Sequence, residues 1–209
     1  MRMNTPNLKE IFMSRFKALK PGESPDPKVN ELLDGAKNGW WKDTSMFGTI
    51  GRQPSLLKTI VPVFEAFFGG GRIPAHLLEM MRLKTGEIND CTYCKEVRCE
   101  ATRDAIKDKE SAIFGKVDFD RLPLKEALAV QLAEYIAGDP NYIPNGFFEQ
   151  LAGVYSEEEV IELVFACSIF NWGNKFNITM QIDGSDESTY TKGMVYPGAD
   201  IRESNAIPA

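Results

Sequence analysis

Two cysteines three positions apart, Cys91-Thr92-Tyr93-Cys94, are the residues of this sequence best equipped for chemistry. Thiols at that spacing can close a disulfide, supply half of a metal site, or fill core volume as small apolar groups. Asn89-Asp90 ahead of them reads as an N-cap, so the spacing predicts a helix from about Cys91 to Lys109. Both sulfurs then lie near the start of one helix face, where free backbone N–H groups and the positive dipole end favour the thiolate. Arg98 follows Cys94 by four residues and on a regular helix reaches back toward its sulfur. Cys94, Val97, Arg98, Ala101 and Ala105 form the expected inward stripe. An arginine on such a stripe is unusual, because Arg is seldom buried without a partner.

The rival chemistries differ in what else they require. A closed zinc site needs four ligands, and here there is no second Cys-x-x-Cys and a single histidine, His76. Cys99 points about 140° away from Cys94 on a regular helix and does not complete the set. No metal and no cofactor is therefore expected. A thioredoxin-like dithiol follows a strand, and no strand pattern precedes Asp90. Two inert buried cysteines remain the bland alternative. Cys167, inside Leu163-Val164-Phe165-Ala166, reads as buried and unreactive.

Upstream, Glu79 sits among Leu78, Met80 and Met81. A carboxyl buried there suits acid–base work, or it simply neutralises Arg98. His76, one turn earlier, reads as a satisfied structural histidine. Asn171, Asn174 and Asn177 are spaced by three in an otherwise apolar helix. Buried amides require partners, so this row is expected to cross-link helices or subunits rather than do chemistry. Trp40-Trp41 reads as core or subunit contact.

These residues need elements to position them, and nearly every periodic stretch is helical. Leu8, Ile11, Phe12, Phe16 and Leu19 recur at helical spacing before Pro21-Gly22, and Pro21 to Pro27 reads as a linker or stiff turn. Leu56 to Phe68 is entered through Pro54-Ser55, with Pro62 predicting a kink or a late start. Pro74 to Thr85 stops at Gly86. Pro123 opens a helix that ends at Gly138-Asp139-Pro140, and Ser156-Glu157-Glu158-Glu159 is a capping box that starts a helix to about Thr179. The tail from Asp183, rich in Gly, Ser, Pro and Asp, reads as an irregular arm carrying Tyr190, Val195 and Tyr196. The expectation is one all-α domain over residues 1–209.

Length and charge bound the rest. At 209 residues the chain can bury roughly 70 % of its unfolded surface, enough for a core without staples. With 24 Lys+Arg against 30 Asp+Glu the net charge is −6, unfavourable for a nucleic-acid partner. The longest nearly apolar run, Val160 to Phe170, spans about half the roughly 20 residues a bilayer requires, and Glu162 interrupts it. No signal-peptide pattern opens the chain. A soluble, cytoplasmic protein with no membrane partner is expected.

The stretch from Glu79 through Arg82-Leu-Lys-Thr-Gly-Glu-Ile-Asn-Asp to Cys91-Thr-Tyr-Cys94 resembles the signature of the alkylhydroperoxidase D-like / carboxymuconolactone decarboxylase superfamily. There a Glu stands twelve residues before the first Cys of a C-x-Y-C. Gln53 to Leu57, the helix after Pro123, and Phe170 to Asn177 are similar to other family segments, so the likeness covers about residues 45–182, with 1–44 as a helical extension. The resemblance implies an AhpD-like all-α bundle, a homo-oligomer (trimer or hexamer), a small hydroperoxide as substrate and a thiol reductant as partner. It implies Cys94 as the peroxidatic thiol, Cys91 as its resolving partner in a disulfide, and Glu79 as proton relay. The family's relay histidine position holds Arg98, which stays protonated and cannot shuttle protons, yet can favour the thiolate and hold a peroxide oxygen. Alternative activities are decarboxylation or ring-opening of a lactone acid, to which a dithiol is irrelevant, and non-catalytic binding on the same fold.

Overall fold

Apolar residues repeating every three to four positions become helices throughout the computed structural model, which describes residues 14–38, 44–68, 71–96, 98–99 and 102–182. Trp40-Trp41 and the expected C-terminal arm lie outside these residues. No β-strand forms among them. The described helices are α1 (Pro27–Asn38), α2 (Ser45–Ile50), α3 (Pro54–Phe68), α4 (Ala75–Ile88), α5 (Thr92–Glu96), α6 (Arg103–Ile106), α7 (Glu110–Ile113), α8 (Leu124–Ala137), α9 (Asn145–Ala152) and α10 (Glu157–Met180).

At the centre lies α4, buried on nearly every face and packed against α5, α8 and α10. Its entry is held from α10: the Glu162 carboxylate accepts the backbone N–H groups of Arg72 and Ile73 at 2.6 and 3.1 Å. The acidic residue that interrupts α10's apolar run thus fastens the turn leading into the central helix. Along α3 and α10 the core is aromatic, with Phe64 and Phe68 stacked at 5.5 Å and Phe67 edge-on to Phe165 and Phe170. Both halves of the Ser156 capping box are formed, and α10 runs 24 residues behind it.

Several boundaries differ from expectation for local physical reasons. Residues 14–20 are not helical, so the periodicity through Phe16 and Leu19 does not make the expected helix in its described part. The segment instead crosses α2, where the Leu19 N–H donates to the Gly48 carbonyl at 3.1 Å. A Cβ on Gly48 would stand 2.2 Å from the Leu19 oxygen. The first described helix, α1, begins at Pro27 inside the expected linker, and the Asp26 carboxylate accepts the Lys28 N–H. Pro62 neither delays α3 nor divides it; it faces solvent, so the carbonyl it leaves without a donor can meet water. α9 was not anticipated; Phe147 and Leu151, four apart, are its buried pair.

Candidate active site

The dithiol is positioned by the way α4 ends. Gly86 does not stop this helix, which continues to Ile88. Asp90 then adopts the left-handed conformation, φ 51°. Its N–H donates to the Glu87 carbonyl and the Cys91 N–H to the Gly86 carbonyl, each at 3.0 Å. That reciprocal pattern is a Schellman motif with Asp at the position where Gly is commonest. Asp90 thus closes α4 rather than capping the next helix, and its carboxylate pairs with Lys95 at 2.6 Å. Lys95 holds that carboxyl below its ordinary range.

One residue after this turn, Cys91 and Cys94 are joined as a disulfide, their Cα atoms 5.2 Å apart. Gly86 lets the pair come close: a Cβ there would stand 3.1 Å from the Cys94 Cβ and 3.2 Å from its carbonyl carbon. The expected helix to Lys109 does not form. α5 ends at Glu96, and the backbone N–H of Cys99 donates to Glu79 Oε1 at 2.9 Å instead of continuing a helical ladder. The carbonyl of Lys95, the natural helical acceptor for that amide, accepts from the Arg98 guanidinium. A buried carboxylate on α4 therefore competes successfully for the amide that would have extended α5. With five residues, α5 has little macrodipole to offer a thiolate.

Breaking the helix also re-aims Arg98. Its Nε and second terminal nitrogen donate to the two Glu110 oxygens at 2.6 and 3.0 Å, and its guanidinium lies 5.8 Å from the Phe114 ring centre. The i,i+4 reach toward Cys94 presumed a regular helix that is not there. Nor is Arg98 the ion-pair partner considered for Glu79. That partner is Arg82, one turn along α4, whose Nε and one terminal nitrogen donate to Glu79 at 2.8 Å each. The other terminal nitrogen donates to the Cys94 carbonyl at 2.8 Å. Glu79 is fully buried and Arg82 nearly so.

From α10 the asparagine row arrives. Asn171 and Asn174 accept from the Asn89 amide at 2.8 and 3.2 Å, tying α10 to the end of α4 as the cross-linking expectation required. Asn177 approaches the dithiol itself: its amide nitrogen donates to the Cys94 sulfur at 3.7 Å. Its carbonyl oxygen is buried and has no hydrogen-bond partner among the described residues. Asn177, Arg82, Tyr93 and Cys94 line one side of a small cavity of about 30 Å³, with Met46, Phe64, Ile169 and Phe170 among its other walls. That is room for about one water. Cys94 lines this cavity and Cys91 does not; they are 4 % and 1 % exposed.

The remaining candidates stand apart. His76 faces Glu126 at 3.9 Å, and Lys109 also binds that carboxylate. Cys99 and Cys167 are buried thiols, and burial pushes the Cys167 thiol well up from its ordinary range. Among the described residues no cluster of His, Cys, Asp or Glu could hold a metal.

Two residues that the structure places against the dithiol, Arg82 and Asn177, are not assigned to it by the sequence reading. For Arg82 the available signal was an i,i+3 Glu–Arg pair on an otherwise apolar helix. For Asn177 it was the last member of the amide row.

Comparison with solved structures decides the architecture. The chain superposes on the alkylhydroperoxidase AhpD core of an uncharacterized peroxidase-related protein from Ralstonia eutropha JMP134. The TM-score is 0.67, covering 88 % of this chain and 97 % of that one at 17 % identity. The fold is AhpD-like. A peroxidase-related protein from Silicibacter sp. TM1040 matches at TM-score 0.63 and 14 % identity, over 85 % of this chain and 95 % of that one. The debrominase Bmp8 matches at 0.62 and 19 %, over 83 % and 94 %. No sequence-family description matches the chain, and no curated protein does. The AhpD-like fold is the all-helical bundle that both the periodicity of the chain and the resemblance implied. Among the described residues no helix is long and apolar enough to cross a membrane.

Proposed function

We propose that this protein is a cytoplasmic thiol-dependent oxidoreductase that reduces small hydroperoxides, with Cys94 as the attacking thiol and Cys91 as its resolving partner. The observation that carries this reading is the Asn177 amide: its nitrogen donates to the Cys94 sulfur, its oxygen is buried without a partner among the described residues, and Asn177 and Cys94, but not Cys91, line one cavity. A buried acceptor without a donor is costly, and the O–H of a hydroperoxide supplies one. Once the dithiol is reduced, the Cys94 thiolate attacks one peroxide oxygen and the O–O bond breaks. That oxygen stays on sulfur as a sulfenic acid, while the other leaves as an alkoxide and takes up a proton. The Cys91 thiol then displaces water from the sulfenic acid, giving the disulfide seen here. An external dithiol returns two electrons and two protons.

Glu79 and Arg82 act together in this scheme. The resemblance makes Glu79 a proton relay; the geometry supports a positioning role in which Glu79 holds Arg82 against the Cys94 carbonyl and the cavity wall. Arg98 acts through the turn after the dithiol, which it closes on Glu110. The continuous buried cluster supports one domain, and the exposed Ile161 and Phe165 on α10 support a homo-oligomer, trimer or hexamer. A second reading, reductive dehalogenation, has one support: Bmp8 is a debrominase on the same fold, and its variant with a cysteine replaced by alanine has been solved with 2,3,4-tribromopyrrole.

The test is thiol titration and intact mass of the reduced protein before and after one equivalent of hydroperoxide, with a brominated pyrrole in parallel. Wild type should lose two thiols, with Cys91 joined to Cys94. Cys91→Ser should stop at a sulfenic acid on Cys94, and Cys94→Ser should not react at either position. Peroxide consumption by Cys94→Ser equal to wild type would overturn the assignment, and reaction with the bromopyrrole alone would favour the second reading.

A further inference from the structure

A second and much larger cavity, about 570 Å³, opens between α2, α3 and α10. Its walls are Ile50, Leu56, Ile60, Trp172, Phe176 and Met180, with Phe16 closing one side. Trp172 and Phe176 stack at 5.8 Å with 26° between their planes, making one flat aromatic wall. The hydroxyls of Thr49 and Thr59 in the lining donate to their own helices, at Ser45 and Ser55, so they add little polarity. The volume lies inside the roughly 300–1,000 Å³ typical of small-molecule sites, and so does the balance of apolar wall with few polar groups.

The mouth has a charge that the chain as a whole does not. Net charge is −6, yet three basic residues, Arg15, Lys17 and Arg52, lie on the chain segments that border it. Arg52 lines the cavity, and its Nε is tethered to the Lys17 carbonyl at 2.6 Å. Arg15 is tethered in the same way, through Nε to the Thr179 carbonyl at 2.7 Å, beside Met180. Only Lys17 has an acidic partner among the described residues, Glu23 at 3.5 Å. The two terminal nitrogens of Arg52 have no partner among those residues. They form a planar fork of the kind that grips a carboxylate with two parallel bonds.

We infer that this pocket binds an anionic amphiphile: an alkyl or aryl body lies in the α2–α3–α10 seam and its carboxylate rests on Arg52. Charge complementarity at the mouth selects the anion, and the apolar walls select its body. The pocket shares its bounding helices with the small cavity at the dithiol. Each bounding helix passes from one cavity to the other within about one turn: Ile50 to Met46 on α2, Ile60 to Phe64 on α3, Phe176 to Gly173 and Asn177 on α10. The binding inference stands whether or not the dithiol reduces peroxides, because its readout is binding alone.

Calorimetric titration of the full-length protein with sodium laurate, kept below its micellar concentration, tests it. One laurate per chain should bind saturably. Dodecyltrimethylammonium, with the same body and the opposite head, should bind at least tenfold more weakly. Arg52→Gln should weaken laurate about tenfold. Leu56→Glu should weaken it at least as much, because it places an anion at an exposed position of the wall. Thermal melting should show both variants folded as wild type. Absence of saturable binding overturns the inference, whether another copy or the chain's own segment beyond Ile182 fills the pocket. So does equal affinity for the two head groups, or laurate binding that neither substitution changes.

Discussion

Two arginine–glutamate pairs flank the dithiol, and they differ in what they do for it. Glu79–Arg82 lies within α4, with side chains 0 % and 6 % exposed, and its arginine reaches the Cys94 carbonyl. Arg98–Glu110 joins the turn after α5 to the start of α7, with side chains 22 % and 31 % exposed. Arg98 is four residues from Cys94 in the chain, Arg82 twelve. The distant one touches the cysteine because α4 runs beneath it, while the near one was carried away when α5 ended early. Distance along the chain predicts contact only while a helix persists, and here a buried carboxylate ended the helix by capturing the Cys99 amide.

The pairs therefore differ in consequence, and Arg82→Met is the most direct way to break the comparison. Removing it leaves the Glu79 carboxylate fully buried without its cation, a change that typically costs about 3–5 kcal/mol. Urea denaturation of the oxidised protein should show a loss in that range. The double variant Glu79→Gln/Arg82→Met should recover part of it, because no unpaired charge remains and apolar replacement of a buried pair is often near neutral. A loss below about 1 kcal/mol for Arg82→Met would mean that the two pairs are equivalent.

Gly86→Ala sharpens the comparison from the other side of the contact. The added methyl meets Cys94 at 3.1–3.4 Å, so α5 must shift by a few tenths of an ångström and loosen the bond from Arg82 to the Cys94 carbonyl. Overpacking of this kind costs about 1–3 kcal/mol, and the better helix propensity of alanine returns up to about 1. The expected net loss is about 1–2 kcal/mol by urea denaturation, with faster alkylation of the reduced dithiol as the sulfurs become more accessible. Unchanged stability and unchanged alkylation together would show that α4 and α5 adjust freely.

What could be read in advance divides along the same line. Local signals held: the Ser156 capping box, the entry at Pro54 and the end at Gly138 all depend on residues within a turn or two of one another, whereas the row of Asn171 and Asn174 announced only that it needed a partner, and that partner, Asn89, lies 82 and 85 residues away. The Cys91–Cys94 proximity was legible because it too is local. Most failures depend on long-range partners, and Asp90 is the local exception, since N-cap and Schellman closure compete for the same few residues. Asp90 looks like an N-cap until the Schellman bonds closing α4 are seen, and Cys91 to Lys109 looks helical until Glu79 is placed beneath it. Leu19 follows a helical period, but what decides its conformation is Gly48, whose missing side chain lets the Leu19 backbone cross. Asn177 carried a polar signal with no address; only packing shows that it ends at a sulfur rather than at another amide.

Arg98→Met has the smallest expected effect, and it decides whether Arg98 matters to the thiol at all. Its ion pair with Glu110 is partly solvated, so the pair contributes at most about 1 kcal/mol, with about 0.5 kcal/mol more from the guanidinium near the Phe114 ring. A loss of about 1 kcal/mol is therefore expected. A cation beside a thiol favours the thiolate, so the two arginines can be ranked by alkylation rates of the reduced protein between pH 6 and 9. Arg82 lines the Cys94 cavity, and its removal should slow alkylation of Cys94 at neutral pH several-fold. Arg98 is engaged by Glu110, which offsets its charge, and its removal should change that rate by less than about twofold. Cys167 should stay unmodified in both variants until the chain unfolds, because burial keeps its thiol protonated across that pH range. If Arg98→Met slowed Cys94 alkylation more than a stably folded Arg82→Met did, the residue nearer in sequence would after all be the one that tunes the sulfur, and the ranking of the two pairs would reverse.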